Sequence, residues 1–283
     1  MLKRMNGGAL AVALLCGACS IAPWAPRVTP TPIADIPIEI RHRLPTVEVR
    51  ISGEPLQLFL DLAGYQAIAL TPPELSRTKV RFGAHSKRFR NSLGQILEAR
   101  QFVAEDVYFG PLPLGALEGG ESIFGDSVPP DRNGYIGMPV LGRYLLVVDY
   151  PAKRIRLYES GDASALASEC GENTFPVALV NGIAVTAGST EYGRHVFLWD
   201  TGSTDNVFRP SALPSDAALG RRVDEGPPVL NVHGLKLGGY DAGSQEFRLV
   251  QFGAPDVDAV LGEGFFAARR VCLDIPQGRG AVR

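Results

Sequence analysis

Two short stretches carry an acid in a setting that a plain surface loop does not need. Asp200 lies in FLWDTGSTDNVF, Phe197 to Phe208, between an apolar run and a run of small residues. A carboxylate at such a turn can move protons in catalysis, or it can simply hydrogen-bond its own turn; residue type alone does not decide. Its neighbours have physical roles of their own. Gly202 lets the chain turn tightly without a Cβ clash and lets its amide approach a carboxylate, and Ser203 offers a hydroxyl able to hold that carboxylate in orientation. The second acid is Asp61, in LFLDLAGYQAIAL from Leu58.

These two stretches align, with Asp61 on Asp200 and Ile68 on Val207. Each acid follows an apolar strand pattern and precedes another apolar pair. Further along, YIGMPVLGRYLLVVDYPAKR from Tyr135 lies on VLGEGFFAARRVCLDIPQGR from Val260 without a gap. Ile136-Gly137 matches Leu261-Gly262, Val140-Leu141 matches Phe265-Phe266, and Asp149-Tyr150-Pro151 matches Asp274-Ile275-Pro276. Chance can give one match, but paired matches in the same order point to a duplication.

The elements that must position the acids are strands. Short apolar runs such as TVEVRIS, LQLFLDL, YLLVVDY, RIRLY, HVFLWD and FRLVQF are bounded by turn residues, with 32 glycines and 22 prolines as punctuation. That pattern predicts an all-β fold, with short helices expected only at PPEL (Pro72 to Leu75) and MPVLGRY. At 283 residues the chain has room for one two-lobed unit or two domains. A formal net charge of -2 gives no argument for a polyanionic partner, so no nucleic acid is expected.

The first residues stand outside the fold. Lys3 and Arg4 precede the apolar run Ala9 to Leu15, too short to span a membrane but suited to an export signal over residues 1–18. LCGACS then resembles the lipobox of bacterial lipoproteins, which makes Cys19 the lipidated residue. Cys16 stands where Leu is commonest, so ordinary cleavage and secretion to a soluble periplasmic or external form is the alternative. Proline-rich residues 19–35 read as a tether, and Ser20 fits the periplasmic face of the outer membrane. Cys170 and Cys272 remain, in a compartment that permits disulfides; they form either a bridge or two buried thiols.

With both acids and the repeat in view, the chain resembles the retropepsin-like and pepsin-like aspartic proteases. The resemblance covers residues 36–160 and 170–283, joined by a linker at 161–169. It implies a closed bilobal β fold around a pseudo-twofold axis, with one active-site aspartate from each lobe. Two like charges so close cannot both ionise readily, so one carboxyl keeps its proton while the other activates a water against a peptide bond. No metal, cofactor or covalent intermediate is implied. The partners expected are a peptide or protein substrate and, through Cys19, a membrane; the chain is expected to act as a monomer. The resemblance also places the Thr201 hydroxyl across the axis and makes Gly64, Gly202 and Ser203 support for the acids. The first lobe departs from the pattern, with Leu62-Ala63-Gly64 after Asp61. Leu62 has no hydroxyl, so symmetric cross-axis bonds are excluded and Thr201 is expected to need another partner or water. Gly94, in RNSLGQILEARQF, is the candidate tip of a covering hairpin, a role the family gives to a glycine-containing turn. Two function classes follow: an exported aspartic endopeptidase of a Gram-negative cell envelope, or a binding lipoprotein that keeps the cleft without turnover.

Other signals fail on context. Lys79 to Arg100 holds six Lys/Arg and one Glu, interleaved with Phe82 and Phe89, which reads as a solvated strand pair before a nucleic-acid or lipid surface. His42, His85, His195 and His233 lack metal-ligand spacing. Ser127 has no strand-to-helix elbow, and Gly119 no following Lys-Ser/Thr for a phosphate loop.

Overall fold

The computed structural model describes residues 29–90, 96–122, 133–217, 220 and 226–283. Cys19 and Gly94 lie outside these residues. In the first lobe the elements are β1 (Ala34–Pro37), β2 (Glu39–Arg41), β3 (Leu44–Ile51), β4 (Glu54–Asp61), β5 (Ile68–Leu70), α1 (Pro72–Arg77), β6 (Val80–Arg90), β7 (Ile96–Phe109), β8 (Leu112–Glu121), β9 (Gly134–Gly137), α2 (Met138–Leu141), β10 (Leu145–Asp149) and β11 (Arg154–Tyr158). Helix α3 (Ala163–Cys170) leads into β12 (Thr174–Pro176), β13 (Ala178–Val180), β14 (Ile183–Thr190), β15 (Gly193–Trp199), β16 (Val207–Phe208), β17 (Val229–Leu237), β18 (Tyr240–Leu249), β19 (Ala259–Leu261), α4 (Glu263–Phe266), β20 (Arg270–Asp274) and β21 (Arg279–Val282). Both short helices expected from Pro72 and Met138 are present.

Each lobe closes on itself. In the first, β3-β4-β9-β5-β8-β7 runs in order and β7 pairs back onto β3; in the second, β14-β15-β19-β16-β18-β17 closes through Ser189 opposite Lys236. Closure leaves the inward side chains of alternating strands no exit except a common core. Leu58, Leu60 and Ile68 fill the first barrel, and Phe197, Phe208 and Phe247 the second. The basic segment after Lys79 forms β6 and β7, with Arg81 bonded to Glu105 at 2.9 Å and Arg88 beside Glu98 at 3.4 Å.

A six-stranded sheet joins the lobes in the order β1-β11-β10-β20-β21-β12, three strands from each. Its centre is the antiparallel pair β10 and β20, with Val147 opposite Cys272 and Asp149 opposite Arg270. Antiparallel pairing of two copies of one sequence about a central residue is what a twofold axis requires. β1 begins at Ala34, inside the stretch expected as tether. Residues expected as a linker hold α3, started by Asp162, whose side chain accepts from Ala165 N–H at 2.8 Å.

The helix carries Cys170 onto the sheet, where it is bonded to Cys272 with Cα atoms 6.2 Å apart. Nearby, Asp149 accepts from Arg270 Nε at 2.6 Å and from Arg156 Nη2 at 2.9 Å, and Glu169 accepts from both arginines. Burial alone raises the Asp149 carboxyl, but the bonds from Arg156, Ala152 and Arg270 outweigh it and hold the group below its ordinary value.

Two measurements follow. Replacing both Cys170 and Cys272 by Ser is expected to cost about 2–5 kcal/mol in urea unfolding with the fold retained. A carboxyl whose folded pKa is depressed contributes stability above its unfolded value of 3.8 and loses it as pH falls through the lower folded value. Asp149→Asn is therefore expected to be less stable at neutral pH by about 3 kcal/mol and to show a shallower loss below about pH 4. Equal acid slopes in the two proteins would refute this.

Candidate active site

Both acids stand where a barrel strand runs out. β4 ends at Asp61, and β15 ends one residue before Asp200. Each strand lies parallel to the one that carries the apolar-apolar-Gly motif: Asp61 faces Gly137, Trp199 faces Leu261, and Asp200 N–H donates to Leu261 O at 3.1 Å. The turns that follow match bond for bond. Ala63 N–H donates to Asp61 Oδ1 at 2.9 Å, and Gly202 N–H to Asp200 Oδ1 at 2.8 Å. Gly64 N–H and Ser203 N–H return to the carbonyls of Asp61 and Asp200. Ala63 thus keeps the amide that Gly supplies in the other lobe.

The motif glycines are explained by contact. A Cβ on Gly137 would lie 2.2 Å from Gln66 O, and one on Gly262 would lie 2.3 Å from Asp205 O. Each motif strand therefore passes directly against the backbone of an acid-bearing turn. At Gly202 the crowding involves both acids: a Cβ there would meet Asp61 Cγ at 3.0 Å and Asp200 Oδ1 at 3.1 Å. The two carboxyl groups of separate lobes converge on one point, and a residue without a side chain occupies it.

Thr201 finds its other partner in the backbone around Asp61. Its buried hydroxyl donates to Leu60 O at 2.6 Å and accepts from Leu62 N–H at 3.2 Å, both across the lobe boundary. The partners are backbone groups, so the identity of residue 62 does not affect this half of the link. Leu62 itself is fully buried in the apolar core, which replaces the reciprocal hydroxyl by packing. Ser203 is corrected: its hydroxyl donates to Asp205 O at 2.7 Å and so braces the turn instead of the Asp200 carboxylate.

Three tyrosines near the acids were not singled out from sequence. Burial, with the charge of Asp61 added, pushes the Tyr135 phenol well up; burial pushes Tyr65 up to about 12, against hydrogen bonds with Gln66 and Tyr135. Both phenols remain protonated. A Cβ on Gly64 would lie 2.6 Å from Tyr135 Cε2, so Gly64 makes room for the ring. Tyr150, from the turn after β10, is raised by burial and then by the charges of Glu263 and Asp200. The available signal was position: Tyr135 precedes Ile136-Gly137, and Tyr150 lies between the repeated Asp and Pro of Asp149-Tyr150-Pro151. Among the described residues no group of three or more His, Cys, Asp or Glu side chains gathers to hold a metal ion.

No protein-family model matches the chain, and no curated protein matches it. Among solved structures, an aspartic proteinase from Irpex lacteus is similar with a TM-score of 0.61 at 13% identity, over 88% of this chain and 96% of that one. Basic 7S globulin from soybean is similar with a TM-score of 0.55 at 10% identity, over 88% and 94%. Conglutin gamma, a basic 7S globulin from lupine seeds, has a TM-score of 0.55 at 12% identity, over 89% and 95%. At such identities the likeness is one of fold: the chain has the bilobal acid-protease-like fold. That fold carries proteins named as a proteinase and proteins named as globulins, so the site and not the architecture must decide the chemistry.

Thr201→Val keeps the shape of the side chain and strands Leu62 N–H and Leu60 C=O in the core. The expected loss is about 1–3 kcal/mol in urea unfolding. A variant as stable as wild type would mean that the cross-lobe hydroxyl holds nothing.

Proposed function

We propose that the chain is an aspartic endopeptidase that hydrolyses peptide bonds with a water held between Asp61 and Asp200. The observation that carries this reading is the convergence of both carboxyl groups at Gly202, each tied by its Oδ1 to a backbone N–H two residues on. In the monoanionic pair, one carboxylate takes a proton from the water as it attacks the carbonyl carbon. The protonated partner donates to the carbonyl oxygen, which gives a neutral tetrahedral diol. Collapse of the diol returns a proton to the leaving amine and restores the pair. Gly64, Thr201, Gly202 and Ser203 serve as supports: Gly202 keeps the space between the acids open, and Thr201 fixes one lobe's turn to the other's.

The same reading places the enzyme in a bacterial cell envelope, held by a lipid on Cys19, with a peptide or protein as substrate. Support comes from the sequence alone, in the apolar run, the small residues before Cys19 and the prolines after it. A second reading, a binding lipoprotein without turnover, is favoured by Leu62 and by the globulins that share the fold.

Digestion of an unfolded protein by wild type, Asp61→Asn and Asp200→Asn separates the two. Wild type is expected to cleave, and each Asn variant to lose at least about a thousandfold in kcat, since either change removes the shared-proton pair. Turnover unchanged in Asp200→Asn would sink the mechanism, and binding without cleavage by wild type would establish the second reading. For the anchor, palmitate labelling is expected in wild type and lost in Cys19→Ala.

A further inference from the structure

The turn between β2 and β3 has two residues, with Arg41 paired to Leu44, and both His42 (φ 49°) and Arg43 (φ 68°) adopt left-handed backbone. Asn-Gly is the usual answer to that geometry. An arginine kept there against local preference needs a reason outside the turn. Its guanidinium supplies one by reaching from the first lobe to the second. Arg43 Nε and Nη2 donate to Glu263 Oε2 at 3.1 and 2.6 Å, and Nη1 donates to Asp205 Oδ1 at 3.3 Å.

Both acceptors belong to the frame of Asp200. Asp205 closes the turn that Asp200 opens, with its carbonyl taking the Ser203 hydroxyl and packing against Gly262. Glu263 follows Gly262, and its N–H donates to Ser203 O at 2.9 Å. A pocket of about 100 Å³, lined by Arg43, Asp205, Glu246 and Arg248 among others, lies against the cluster.

The geometry points to Arg43 as a positioning residue for the Asp61 and Asp200 pair: it crosses the lobe boundary to hold Asp205 and Glu263 and balances their charge beside Asp200. The inference rests on the reading of these two acids as a coupled pair. The ionisable groups around Asp200 are Asp61, with Tyr65 and Tyr135 beside it; Tyr150 from the β10–β11 turn; Asp205 from its own turn; Glu263 of α4; and Glu246, Arg248 and Arg43 at the pocket. Among the described residues, the cations paired with this cluster are Arg43 and Arg248. Arg248 Nε lies 3.4 Å from Asp205 Oδ1, and Glu263 has Arg43. Removing Arg43 would leave the Glu263 carboxylate unbalanced, and a like charge nearby disfavours ionisation of the pair.

The test is a titration of the full chain carrying ¹³C at aspartate carboxyl carbons, with Asp61→Asn and Asp200→Asn used to assign the two resonances. Arg43→Gln is expected to raise the apparent pKa of the step that makes the pair monoanionic by about half a unit or more. Glu263→Gln is expected to lower it, and the double variant to return near wild type. A folded Arg43→Gln protein with an unchanged titration overturns the inference, as does a shift that Glu263→Gln leaves in place. Should Arg43→Gln fail to fold, Glu263→Gln alone decides by the sign of its shift, and no lowering overturns the inference. The titration uses no substrate, so its outcome is independent of whether peptides are cleaved.

Discussion

Two carboxyl groups from different lobes are brought to one point at Gly202, and most of the surrounding structure follows from that. Like charges repel, so neither a flexible loop nor a single strand end would keep them together. Each acid is fixed three times over: by the barrel strand that delivers it, by the N–H two residues on that takes its Oδ1, and by the glycine strand packed on its turn. The central sheet then fixes the distance between the two assemblies. β10 and β20 continue directly from the glycine strands through α2 and α4, so pairing Val147 with Cys272 sets the register of the whole site.

The lobe boundary is a second place where polar groups must be satisfied without water. Thr201 does this by bonding to backbone on both sides of Asp61, so a single hydroxyl serves one donor and one acceptor. Leu62 contributes nothing polar at the equivalent place and is packed instead. One half of a symmetric device has been exchanged for burial, and the half that remains depends on main-chain atoms that substitutions in the first lobe do not remove.

This explains which parts were legible in the sequence. Duplicated apolar strands, the two acids and the Ile/Leu-Gly elements repeat in order, and that pattern carried the all-β class and the duplication, while the closed bilobal fold and the joining of Asp61 with Asp200 were what the resemblance implied. The resemblance placed the Thr201 hydroxyl across the axis, but its partners there were hidden because a backbone group has no letter in the sequence. Ser203 was given to the carboxylate because its type fits, whereas its geometry turns the hydroxyl to Asp205 O. Pairing of Cys170 with Cys272 needed the fold of α3 onto β20, which 102 residues of separation conceal. The His42-Arg43 turn was invisible for the opposite reason: it breaks the Asn-Gly rule by which such turns are recognised.

The shared-proton pair proposed for Asp61 and Asp200 would be asymmetric by nature, with one carboxyl neutral while the other is charged. Its two surroundings therefore need not be copies of each other, and here they differ in kind. Asp61 lies on the side of two phenols kept protonated by burial, Tyr65 and Tyr135, while Asp200 lies beside the Glu263, Asp205 and Arg43 cluster. The threonine missing from the first lobe is thus a poor measure of whether the site works. What the chemistry demands is that both carboxyls stay backbone-held, uncrowded and unequal. Under the proposed mechanism, Ala63 N–H and Gly202 N–H would supply the backbone hold, and the contrast between the phenols and the ion cluster would supply the inequality.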